Sequence, residues 1–93
     1  MTIQLNYRGQ LAIAAKTPSE EIDPRPGTTI GDLVLAAAAR NGEEFAKLVL
    51  DANGALRSSL LIALDGDQIQ DPAGTPLPES ARELTLLPPI AGG

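Results

Sequence analysis

Hydrophobic and polar residues change their spacing several times along this chain, and each change marks an element. Thr2-Ile3-Gln4-Leu5-Asn6-Tyr7 alternates strictly, with Ile3, Leu5 and Tyr7 on one face. A period of two predicts a half-buried strand. Arg8-Gly9-Gln10 turns the chain. Residues 11–15 are ambiguous, because the alanines favour a helical turn while the spacing of Leu11 and Ile13 suits a strand. Ser19-Glu20-Glu21-Ile22-Asp23 reads as a short second strand, ended by Pro24, Pro26 and Gly27.

The period then lengthens. Ile30, Leu33, Val34, Ala37 and Ala38 share one helical face. Thr28 or Thr29 caps this helix, and Thr29 followed by Asp32 resembles a capping box. Asn41-Gly42 is a helix stop. Phe45, Leu48 and Val49 repeat the helical spacing in a shorter piece, and Asn53-Gly54 signals a turn. Residues 59–64 form a continuous apolar run ending at Asp65-Gly66, which predicts a central strand buried on both faces. Gln68-Ile69-Gln70 suits a short edge strand. Residues 71–79 hold Pro72, Gly74, Pro76 and Pro78 and read as a loop. Residues 84–87 make the last strand. Leu84 and Leu86 share one face, so Leu87 points the other way. It either meets solvent or packs under the loop or short helix.

The order is strand, strand, helix, strand, short strand, strand. A sheet needs one face covered, and one main helix covers it, so an α+β roll is the economical packing. This is the order of the β-grasp (ubiquitin-like) fold, a mixed sheet under one main helix. Residues 1–87 are expected to form this single domain and residues 88–93 a flexible tail.

Composition narrows the chemistry. The 93 residues include one Tyr, one Phe and no Trp, so the core must be built from Leu, Ile, Val and Ala. The absence of Cys and His excludes a thiol nucleophile, a disulfide framework and the usual zinc sites. Partners must therefore supply most catalytic groups. The net charge of −5, with basic residues scattered, argues against nucleic acid. No apolar run is long enough to span a membrane, and residues 1–7 lack a secretory signal pattern, so a cytoplasmic protein is expected. Asp65, Asp67 and Asp71 do not follow a cation-loop spacing and are better explained as turn residues. Lys16 and Lys47 read as solvated lysines.

The last six residues carry the chemistry. Pro88 and Pro89 stiffen the exit from the sheet and remove two ladder donors. Beyond Ile90 only Ala91, Gly92 and Gly93 remain, so the end is slim enough for a narrow channel. From Pro88 to Gly93 an extended chain reaches roughly 20 Å. The Gly93 carboxylate is a poor electrophile until adenylation gives it a leaving group. A sulfur nucleophile then yields a thiocarboxylate or thioester, and no β-carbon crowds the carbonyl. A Gly-Gly pair at a chosen site arises by chance at roughly half a per cent, so its weight comes from joining a Pro-Pro exit and this element order.

Leu84-Thr85-Leu86-Leu87-Pro88-Pro89-Ile90-Ala91-Gly92-Gly93 resembles the terminal strand and Pro-Pro-(Val/Ile)-x-Gly-Gly ending of the MoaD/ThiS family of ubiquitin-like sulfur carriers, which includes the small subunit of molybdopterin synthase. Gly9-Gln10-Leu11-Ala12, Thr29-Ile30-Gly31-Asp32-Leu33 and Leu61-Ile62-Ala63-Leu64-Asp65-Gly66 are weaker matches. The resemblance implies a carrier that is not itself an enzyme and holds no cofactor. A ThiF/MoeB-like enzyme would adenylate Gly93 with ATP. The thiocarboxylate would then serve a sulfur-acceptor enzyme such as the molybdopterin synthase large subunit. Gly92, Ala91, Ile90, Pro89, Pro88 and Leu87 would contact these partners. Asp65 stands where the family often has Asn, residues 79–83 replace its usual Asp-Gly-Asp turn, and the proline loop is longer.

Two other readings share the fold. One is a modifier conjugated through Gly93 to lysines of other proteins. The other is a plain interaction domain. Within the carrier reading, Pro88-Pro89 favours the molybdopterin branch over thiazole, cysteine or secondary-metabolite routes.

Overall fold

A computed structural model describes residues 2–88. Strand β1 (Ile3–Tyr7) leads into helix α1 (Gln10–Ala15), which settles the ambiguity at 11–15 as helix. Strand β2 (Ser19–Ile22), helix α2 (Ile30–Arg40) and helix α3 (Gly42–Val49) follow, then strands β3 (Leu61–Leu64), β4 (Asp67–Gln68) and β5 (Glu83–Leu87). One five-stranded sheet runs in the order β2-β1-β5-β3-β4. The β1–β5 pair is parallel, and the other pairs are antiparallel. This is the mixed β-grasp sheet, with α2 as its longest helix.

The core lies between the sheet and the helices. Ile3, Leu5 and Tyr7 of β1 and Leu84 and Leu86 of β5 turn inward, as their alternation predicts. They meet Ile30, Leu33, Val34, Ala37 and Ala38 of α2, Phe45 and Val49 of α3, and Leu11 of α1. The only two aromatic rings pack edge to face, Tyr7 against Phe45, with centroids 5.1 Å apart. Among the described residues no helix is long and apolar enough to cross a membrane.

Two expectations change. The apolar run at 59–64 is not the middle of the sheet, because β5 holds that place. Nor is it buried on both faces: Leu60 and Ile62 are buried, while Leu61 is 46% exposed. Helices cover only one side of this sheet, so every second residue of β3 faces outward whatever its polarity. The short edge strand falls at Asp67–Gln68 rather than at 68–70, because the tight Asp65-Gly66 turn folds β4 directly onto β3. Asp65 and Gly66 both have positive φ, 49° and 91°. That is the backbone of a two-residue hairpin turn.

The capping box of α2 is formed. Asp32 N–H donates to Thr29 Oγ1 at 3.0 Å, and Thr29 N–H donates to Asp32 Oδ2 at 3.1 Å. The proline loop satisfies two more N–H groups of the first turn. Ile30 N–H donates to the Thr75 carbonyl at 3.0 Å and Gly31 N–H to the Pro72 carbonyl at 2.8 Å. Residues 71–79 are therefore a docked cap on α2. The approach is close, since a β-carbon at Gly31 would lie 3.0 Å from Ala73 Cα and 3.1 Å from Ala73 N.

Tyr7 also ties the sheet to the helices through its hydroxyl. It donates to Glu20 Oε2 at 2.7 Å, and Arg40 reaches the other Glu20 oxygen at 2.7 Å. Burial first, then this hydrogen bond and the Glu20 charge, push the Tyr7 hydroxyl up to about 12. For Glu20, burial acts upward. The hydrogen bonds from Tyr7 and Arg40 and the Arg40 charge outweigh it and hold the carboxyl below its ordinary value.

Gly31→Ala should destabilise the domain by about 1–3 kcal/mol, read from the urea midpoint, because the new methyl meets backbone that cannot step aside. The raised Tyr7 value means that the protonated phenol favours the fold. That contribution is complete below the unfolded value of roughly 10 and is lost as pH rises towards about 12. The Glu20 contribution is present above roughly 4.3 and is lost as pH falls through the lower folded value. Tyr7→Phe should cost about 1 kcal/mol at neutral pH and flatten the alkaline limb of the midpoint-against-pH curve.

Candidate functional site

Gly93, Gly92, Ala91, Ile90 and Pro89 lie outside the described residues. The structure describes the base from which they extend, Leu87 and Pro88. Strand β5 positions this base. Its Leu84 and Leu86 side chains are fully buried, and it is flanked by β1 on one side and β3 on the other. The chain therefore leaves from the middle of the sheet.

Leu87 is 38% exposed, on the face opposite the core. Its partner across the antiparallel register is Leu61, the residue that sequence reading placed inside. The two leucines make an apolar ledge on the uncovered face, with the Ala63–Thr85 pair beside it. A surface groove of about 460 Å³ opens next to Leu61, lined by Leu60, Ile62, Gln68 and Ile69 among others. Farther along the same face the character turns polar. Asn6 is buried between neighbours: Gln4 Nε2 donates to its Oδ1 at 2.7 Å, and its Nδ2 donates to Glu83 Oε2 at 3.2 Å and Thr85 Oγ1 at 3.3 Å.

The aspartates do not form a metal site. Among the described residues no group of three or more candidate ligands comes together. Asp65 Oδ1 accepts from Arg82 N–H at 3.1 Å and Glu83 N–H at 2.9 Å, while Asp71 Oδ1 accepts from Gly74 N–H at 3.2 Å. Asp65 thus holds the segment just before β5, where the family pattern has a different turn. The Tyr7–Glu20–Arg40 cluster belongs to the junction of β1, β2 and α2. Neither Leu87 nor Pro88 has an ionisable side chain, so the described base offers apolar contact and direction, with no acid or base of its own.

Sequence reasoning missed Leu61. The run around it is continuously apolar, so the sequence carries no parity from which its outward face could be read; the structure shows it by burying Leu60 and Ile62 on either side. Sequence reasoning placed Gly9 in a turn but not against Pro88, where a β-carbon at Gly9 would be 3.6 Å from Pro88 Cγ.

Comparison with known proteins places this geometry. Searching curated proteins by sequence gave no significant match. Among solved structures, SAMP1 from Haloferax volcanii is similar at a TM-score of 0.84 and 22% identity, with all of both chains covered. Urm1 from Trypanosoma brucei is similar at 0.74 and 20%, covering 99% of this chain and 95% of that one. In a complex of subunits 1 and 2 of molybdopterin-converting factor from Helicobacter pylori 26695, the similar chain has a TM-score of 0.59 and 22% identity, with all of both chains covered. At these identities the likeness establishes the β-grasp fold. The ThiS family profile matches residues 5–93, from β1 through to Gly93. The chain therefore belongs to the ThiS family of small ubiquitin-like carrier proteins, which are not enzymes themselves.

Proposed function

We propose that this protein is a sulfur carrier whose working group is the Gly93 carboxylate, with residues 1–87 as the folded body and residues 88–93 as the delivery tail. The observation that carries the reading is the family match running to Gly93 on a body whose last strand, β5, ends beside an exposed apolar ledge. A Gly93 carboxylate oxygen attacks the α-phosphorus of ATP on a ThiF/MoeB-like enzyme, and pyrophosphate leaves. Hydrosulfide, or a persulfide followed by reduction with a thiol, attacks the carbonyl carbon, and AMP leaves. The product thiocarboxylate donates its sulfur to an acceptor held by a second enzyme.

Gly92 and Ala91 give the slim approach, Ile90 and Pro89 line the entry, and Leu87 contacts the partner surface. Leu61 extends that contact. ATP belongs to the activating enzyme, and the setting for this chemistry is the cytoplasm. The molybdopterin branch is favoured by the Pro88-Pro89 exit, and the Helicobacter pylori complex supports an acceptor of the subunit 2 kind. The likeness to SAMP1 keeps a second use of the same activated terminus in view, transfer to a lysine amine of another protein.

Intact-mass measurement after incubation with the cognate activating enzyme, ATP and sulfide should show replacement of one oxygen by one sulfur. Deleting Gly93 should abolish the gain, and Gly92→Trp should block it while the circular dichroism stays unchanged. Absence of the gain from the native chain, with a demonstrably active enzyme, would overturn the carrier reading. Isopeptide-linked adducts in place of a thiocarboxylate would favour the modifier. Leu87→Ser should raise KM for the activating enzyme about tenfold, since losing a buried leucine contact costs more than about 1.4 kcal/mol. At saturation kcat should be retained.

A further inference from the structure

Helix α1 contributes little to the core. Leu11 is its one fully buried side chain, and Ile13 is 77% exposed. Its first turn does something else. Gly9, the residue before it, has φ 54° and ψ −128°, a backbone that residues with a β-carbon rarely adopt. The bare side of Gly9 faces the Pro88 ring, where a β-carbon would come within 3.6 Å of Cγ and 4.0 Å of Cδ.

This corner is held firmly. Arg8 N–H donates to the Leu86 carbonyl at 3.1 Å, two residues before Pro88. Leu11 N–H donates to the Arg8 carbonyl and Ala12 N–H to the Gly9 carbonyl, each at 3.1 Å. Leu11 anchors the turn in the core, and the proline ring fixes its own φ. Leu86 and Pro88 are thus both registered against the β1–α1 corner.

We infer that Gly9 is a positioning residue: its corner seats Pro88 and sets the direction in which the chain leaves the sheet towards the reacting carboxylate. The inference rests on the carrier reading. Its importance follows from leverage. Once a partner holds them extended, five further residues reach roughly 17 Å, and a ten-degree error at Pro88 then displaces the end by about 3 Å relative to the docked body. Misplacing a reacting group by about 1 Å costs up to about a hundredfold in rate. A seat of this kind leaves docking through Leu61 and Leu87 untouched and acts only on delivery within the bound complex.

The test is a double-mutant cycle on thiocarboxylate formation by the intact chain with the cognate activating enzyme, ATP and sulfide. Gly9→Ala strains the backbone of the corner at φ 54°, and its methyl would rest in ordinary contact with the ring. Pro88→Ala removes the ring at a partly exposed site, which guards against a Gly9 variant that fails to fold. Each single variant should lower kcat about tenfold at unchanged KM, and the double variant should be no worse than either alone. Pro89→Ala should cost less than Pro88→Ala. A merely structural role would reduce the folded fraction, which raises apparent KM and lowers the thermal midpoint while kcat at saturation holds. Additive losses, or a Pro88→Ala protein with native kcat, would overturn the seat while the native chain still gained sulfur. A native chain that gained none would overturn the carrier reading and the delivery role together.

Discussion

The parallel pairing of β1 with β5 is the constraint on which the rest of the molecule depends. It joins segments from opposite ends of the described chain, with Gln4 opposite Glu83 and Tyr7 opposite Leu86. Parallel neighbours need a crossover. Here everything between them, three strands and three helices included, is that crossover. Once β1 and β5 lie side by side, β2 and β3 add to their outer edges. Leu5, Tyr7, Leu84 and Leu86 then form the floor on which α2 and Phe45 pack. The same pairing delivers Leu87 and Pro88 to the β1–α1 corner.

A second theme is how the irregular segments make themselves useful. The loop at 71–79 lends the carbonyls of Pro72 and Thr75 to the first turn of α2. Asp65 closes the β3–β4 hairpin and also accepts the Arg82 and Glu83 amides, so one residue fixes both a turn and the entry to the last strand. Each of these replaces hydrogen bonds that regular structure would otherwise provide. The uncovered face of the sheet is divided between an apolar end at Leu61 and Leu87 and a polar end organised by Asn6. A partner that fits it must match both.

Much of this was legible in the sequence, for definite reasons. The α2 face repeats with the helical period from Ile30 to Ala38, and its capping residues sit at the required spacing, so helix, boundary and buried side all follow. Strict alternation did the same for Ile3, Leu5 and Tyr7. The run around Leu61 defeated the method, because a continuous apolar stretch carries no parity and burial on both faces was the simpler inference. Residues 11–15 carried two competing propensities; as a strand Leu11 and Ile13 would share one face, whereas the helix buries Leu11 and leaves Ile13 outside. The Gly9–Pro88 contact joins residues 79 positions apart, beyond the reach of any local pattern. Of the site, the expected role of the tail rests on residue types alone, whereas the anchorage of its base at Leu87 and Pro88 depended on the strand order.

That anchorage has a mechanical consequence. A pull applied to the chain beyond Pro88 would run along β5, which is bonded to β1 on one side and β3 on the other. The load falls on two ladders in shear, so many hydrogen bonds must fail together before the strand slips. An edge strand would peel away one bond at a time. Tension applied beyond Pro88 is therefore shared by the whole sheet, and a central last strand resists it where an edge strand would not.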